Sequence, residues 1–161
     1  MMIEIERVER VDPALTTGLN ALFDAGMTWD EGNGQTFLAN PDALLLVARW
    51  DGVVCGFLTA YRLPRFDGMG SEVNLYEIAT DEAYQRRGVG RALVDAVKRW
   101  AVEVGAVNVW VLTEVDNEAA QGLYTATGGE RDEPVFTMYT YPIASGSGPD
   151  RAERTGGEEG R

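Results

Sequence analysis

At 161 residues, 45% hydrophobic and 25% charged, the chain has the size and make-up of an ordinary globular domain with a real core. Its 26 acidic residues against 14 basic ones give a net charge of −12, a sign that repels nucleic acid and anionic membranes and attracts cations. Histidine is absent and Cys55 is the only cysteine. That excludes histidine-based triads, Cys–His pairs, most zinc sites and any internal disulfide, so no metal is expected. Acid–base work must fall to carboxylates, tyrosines, lysines or water.

Met1 to Arg7 alternates acidic and apolar residues and has no basic leader, so it is expected to be a first strand and not a signal peptide. No apolar run nears the roughly 18 residues of a membrane span, and the expected location is the cytoplasm. Asp12-Pro13 reads as an N-cap with proline at the first helical position, opening a helix to about Ala25. Met27 to Gly34 reads as a loop, with a short helix over Gln35 to Ala39. Leu44 to Trp50, the turn Asp51-Gly52, and Val53 to Tyr61 read as a β-hairpin. A Pro- and Gly-containing loop over Leu63 to Gly70 leads to a strand over Val73 to Ala79.

The strongest helix signal follows. Val89, Ala92, Leu93, Ala96, Val97, Trp100, Ala101 and Val104 recur at spacings of three and four, and Gly105 stops the run. Val107 to Leu112 reads as a buried strand, Asn117 as the cap of a helix to about Thr127, and Val135 to Tyr141 as a last strand. Ala144 to Arg161 holds no large hydrophobe and is expected to be a disordered tail behind a domain of residues 1–143. The order is α/β, a mixed sheet flanked by helices.

Gln85-Arg86-Arg87-Gly88-Val89-Gly90 lies between a strand and the long helix. Its glycines allow close backbone approach to a ligand, and the first-turn amides of the helix form an anion site. Arg86, Arg87 and Arg91 add cationic charge to an otherwise acidic chain. The loop is neither a P-loop nor a dinucleotide fingerprint, since Gly-Lys-Ser/Thr and a third glycine are both missing. It resembles the coenzyme A signature of the GNAT superfamily of N-acetyltransferases. Asn117 to Tyr124, ending in Gly128, is similar to that family's second motif. Leu75 to Thr80 is similar to its splayed central strand. The resemblance implies a single-domain GNAT fold, mostly antiparallel, with acetyl-CoA as cofactor. It places the pantetheine arm on the backbone of Ile78, Ala79 and Thr80, the pyrophosphate on Gln85 to Arg91, Asn117 beside the cofactor, and Tyr124 facing the thioester sulfur.

By simple alternation Glu77 shares a face with Val73, Leu75 and Ala79, a carboxylate in an apolar row that is costly unless paired or used. Ala60 to Asp67, Ser71-Glu72 and Tyr76 to Ala79, with Leu123-Tyr124-Thr125 and Gly129 to Glu133, resemble the type I aminoglycoside 3-N-acetyltransferases. In that family an aspartate proposed as the base stands where Glu77 stands here, and Thr113 to Asp116 departs from the family's residues. The resemblance implies a small cationic amine as substrate, with Glu77 as base and Tyr124 as acid. Glu72, Glu114, Asp116, Asp132 and Glu133 become candidate partners for its ammonium groups. A homodimer is allowed; nucleic acid and membrane are not expected partners. The alternatives are a polyamine, another small amine or a protein N-terminus as acceptor, or a non-catalytic acyl-CoA-binding module.

Overall fold

The computed structural model describes residues 2–22 and 29–143. The chain divides into two compact units, Met1–Arg131 and Asp132–Arg161.

In the first unit, β1 (Ile3–Arg7), β2 (Ala43–Trp50), β3 (Val53–Pro64), β4 (Ser71–Thr80) and β5 (Ala106–Trp110) form one sheet in sequence order. All pairs are antiparallel except β4–β5, which is parallel. The helices are α1 (Pro13–Asn20), α2 (Glu31–Leu38), α3 (Val89–Glu103) and α4 (Glu118–Ala126).

One core cluster joins Leu46, Leu58, Val73 and Leu75 of the sheet to Val89, Leu93, Val97 and Trp100 of α3. A second, on the other face, joins Leu45, Val47 and Phe57 to Leu15 and Leu19 of α1. β2 is therefore buried on both faces, which is why Leu44 to Val47 reads as an unbroken apolar run. Gly56 sits where α3 meets the sheet: an added Cβ would lie 2.9 Å from the Ala79 carbonyl oxygen and 3.1 Å from Val89. Leu93 is fully buried. Leu93→Ala should cost about 2–5 kcal/mol in denaturant unfolding, since the α3 seam cannot close around the lost side chain.

Several expectations are corrected. α1 ends at Asn20; the rest of the expected helix falls partly on residues 23–28, outside the described residues. α2 starts earlier than expected because Asp30 caps it, its side chain accepting from the Asn33 N–H at 2.8 Å. β3 runs on to Pro64, leaving the turn to residues 65–70, where Arg65 pairs with Asp67 and Glu72. β5 stops at Trp110 and is only partly buried: Ala106 and Val109 pack on the core, but Val107 is 58% exposed, as is Leu112 beyond the strand at 66%. In the second unit no strand forms over Val135 to Tyr141, and the described residues of that unit offer no second strand to pair with. The expected tail, 144–161, lies outside the described residues.

The most consequential correction concerns Glu77. β3 and β4 pair in register from Gly56↔Thr80 to Thr59↔Glu77, then shift to Ala60↔Leu75, so Tyr76 is an extra residue in a bulge. The bulge breaks the alternation. Leu75 stays with Val73 on the α3 face, whereas Glu77 pairs with Thr59 and stands with Ala79 on the opposite face.

Candidate active site

β4 and β5 share Ser71↔Ala106, Val73↔Val109 and Asn74↔Trp110, and there the ladder stops. β4 continues to Thr80 on β3 alone, so among the described residues the backbone groups on its β5 side have no strand partner beyond Asn74. A cavity of about 360 Å³ opens in this fork. Its β4 wall is Leu75 to Ala79, and facing it are Val111, Leu112 and Thr113. Because the bulge turns Glu77 and Ala79 to one face and leaves Leu75 and Ile78 on the other, the cleft is lined from both sides of the sheet. Asn117, Ala120 and Tyr124 of the α4 segment also line it, their spacing of three and four placing them on one helical face.

Glu77 and Tyr124, separated by 47 positions, thus meet at one cavity. The Thr59 hydroxyl donates to Glu77 Oε2 at 3.1 Å, and Thr59 is only 3% exposed. Tyr61 stands on the same side of β3, its ring edge-on to Tyr76 at 5.5 Å. Burial, then the nearby Tyr76 and Glu77, push the Tyr61 phenol above its ordinary value. Burial likewise raises the Tyr124 phenol, which therefore keeps its proton across neutral and mildly alkaline pH. Asn117 caps α4, its side chain accepting from the Ala120 N–H at 3.0 Å, and Lys98 Nζ donates to the Thr127 carbonyl at the helix's other end. These contacts fix the helix that carries Tyr124.

The glycine loop follows β4 through the turn Glu82–Tyr84. Gln85 Nε2 donates to the Thr80 carbonyl at 3.3 Å, tying the loop to the end of β4. Gly88 takes φ 91°, a left-handed conformation that a side chain would strain, and starts α3 without a side-chain cap. The first bond of the helix is Ala92 N–H to Gly88 O, so the amides of Val89, Gly90 and Arg91 precede the intrahelical ladder. Gly90 packs beside Leu123 of α4, where an added Cβ would come within 3.2 Å. Arg86, Arg87 and Arg91 are exposed there, with Arg87 5.6 Å from the Trp50 ring and 5.9 Å from that of Tyr84. Open amides, a bare glycine cradle and cationic side chains together fit a pyrophosphate.

The remaining candidates are less centrally placed. Glu72 is paired with Arg65 at 3.3 Å and lies about 16 Å along β4 from Glu77, away from the cavity. Glu114 and Asp116 are exposed in the β5–α4 connection, between the lining residues Thr113 and Asn117. Asp132 and Glu133 belong to the second unit and are exposed. Thr59 and Thr113 were not legible as site residues, because only the register reveals what Thr59 touches.

Cys55 is buried, donating to the Ala48 carbonyl at 3.5 Å, and burial followed by the charge of Asp81 raises its thiol above 9.0. It should react with a disulfide reagent at pH 8 far more slowly than a free thiol, and at full rate only in denaturant.

The sequence model described as the acetyltransferase (GNAT) family matches residues 12–128. The mycothiol acetyltransferase of Clavibacter michiganensis is 37% identical over 144 residues, 84% of this chain, which spans 44% of that relative's length. The N-alpha-acetyltransferase RimI of Mycobacterium tuberculosis is 32% identical over 130 residues, covering 80% of this chain and 79% of the relative. An aminoglycoside acetyltransferase from an uncultured soil metagenomic sample, solved with sisomicin, superposes with a TM-score of 0.77. It is 23% identical and covers 88% of this chain and 97% of its own. The aminoglycoside N-acetyltransferase AAC(6')-Iy in complex with CoA superposes with a TM-score of 0.70 at 21% identity, over 86% and 95% of the two chains. The two superpositions show the fold.

Proposed function

The chain belongs to the GNAT acetyltransferase family, whose cofactor is acetyl-CoA, and on that premise we propose that it acetylates a primary amine of a small polycation of the aminoglycoside type, at the 3-N position. The observation that carries the chemistry is the meeting of Glu77 and Tyr124 at the cavity of the β4–β5 fork.

The amides at the start of α3, with Arg86, Arg87 and Arg91, would hold the pyrophosphate, and the edge of β4 from Ile78 to Thr80 would hold the pantetheine arm. Acetyl-CoA, when bound there, would supply a thioester carbonyl for the amine to attack. Glu77 takes a proton from the acceptor's ammonium, directly or through water, so that the free amine can form the new N–C bond as the C–S bond breaks. Tyr124 gives its phenolic proton to the departing sulfur, and the proton that the acylated nitrogen then sheds restores the phenol, which burial keeps protonated between turnovers. A free amide of β4 donates to the carbonyl oxygen as charge develops there. No residue of this chain needs to carry the acetyl group covalently, in keeping with a buried Cys55.

A polycationic acceptor is supported by the net charge of −12 and by the Leu63-Pro64-Arg65-Phe66 segment, held by the Arg65–Asp67 and Arg65–Glu72 ion pairs. Glu114 and Asp116, at the cavity's edge, are the acids best placed to meet its further ammonium groups. A second reading, a peptide N-terminus as acceptor, is favoured by the 32% identity to RimI. Turnover with kanamycin, gentamicin, spermidine and an alanyl peptide separates the two. The first reading expects the highest kcat/KM on the 2-deoxystreptamine drugs, falling steeply with added salt. No turnover of any such drug overturns it. Binding of coenzyme A without turnover on any amine would instead identify a non-catalytic module.

A further inference from the structure

We propose that Thr59 is the positioning residue of Glu77: its hydroxyl anchors one carboxylate oxygen and leaves the other to meet the substrate amine. The inference rests on the base role proposed above for Glu77, and goes beyond it by naming the group that makes a flexible glutamate usable. Thr59 is one of only three buried polar residues among the described ones, set between Phe57 and Tyr61 along β3. A buried hydroxyl on such a face needs a partner. The register supplies one: Thr59 stands directly opposite Glu77, just before the Tyr76 bulge, and donates to Oε2 at 3.1 Å. Without the bulge the side chain after Leu75 on that side would be Tyr76, and Glu77 would point away from Thr59. Bulge and hydroxyl therefore act together, one aiming the carboxylate and the other stopping its rotation. A glutamate has one more rotatable bond than an aspartate, so an anchor recovers the precision the shorter acid would have.

Around Glu77 stand Tyr61 on β3, Tyr76 on its own strand and Tyr124 on α4. The Thr59 hydroxyl is the side-chain donor that reaches its carboxylate, at 3.1 Å.

The test compares Thr59→Val, Thr59→Ala and Thr59→Ser by kcat against KM and by the carbon-13 resonance of the Glu77 carboxyl at one fixed pH, which needs no turnover. Val and Ala should both lower kcat by about tenfold and move the Glu77 resonance, with KM for acetyl-CoA unchanged. Ser should restore kcat and resonance. A wild-type kcat in Val and Ala overturns the proposal. So does a lower kcat with an unmoved resonance that Ser fails to rescue, the mark of a packing role. If Glu77→Gln keeps wild-type turnover, the base reading itself falls. If Glu77→Gln is inactive while the Thr59 variants turn over as wild type, only the positioning role falls.

Discussion

Glu77→Gln is expected to lower kcat by about a hundredfold to ten-thousandfold at neutral pH, the usual contribution of a positioned proton acceptor. Glutamine keeps the shape and can still accept from Thr59, so β4 and its bulge should survive. The KM for acetyl-CoA should stay close to wild type, because the glycine loop and the start of α3 are untouched. The deficit should narrow as pH rises and more acceptor amine is free without help, a signature that a folding defect would not show. Steady-state kinetics from pH 6 to 10, with thermal unfolding as control, read all three. Wild-type kcat in this variant would remove Glu77 from the mechanism.

Tyr124→Phe is the second large effect. A ring of the same shape keeps the packing of α4 against the core while deleting the proton. A fall in kcat of about tenfold to a hundredfold is expected, less than at Glu77 because water can reach the sulfur. The pH behaviour has a definite sign. Burial raises the phenol above its ordinary 10.0, so the proton donor is intact below that value and is lost only as pH climbs through the raised one. The wild-type enzyme should therefore show no alkaline loss below pH 10 that Tyr124→Phe abolishes. Poorer leaving thiols, tested as acyl-thioesters of higher thiol pKa, should suffer most in this variant.

The parts of this site that depend on local signals were legible in the sequence. The 3.6-residue rhythm from Val89 to Val104 fixed α3, and Gly88 marked its start through a conformation that only glycine takes without strain. Asn117 capped α4 as its residue type suggests, and its spacing from Tyr124 put both on one face. The parts that depend on pairing were not. The bulge at Tyr76 has no signature in Leu75-Tyr76-Glu77, yet it decides which face Glu77 occupies. The apolar run from Val107 to Leu112 looks like a buried strand, but β5 ends at Trp110 and exposes Val107. Val135 to Tyr141 has a strand's composition without a strand's partner among the described residues of its unit. Propensity names what a segment can be; the ladder decides what it becomes.

Acetyl transfer at the β4–β5 fork is read most directly by following free thiol released when the purified protein meets acetyl-CoA with and without a primary amine. The expected result is release that depends on the amine, matches acetylated product one for one, and drops with Glu77→Gln. Thiol release no faster than the uncatalysed rate on every amine tried, from a preparation that still binds coenzyme A, contradicts the claim.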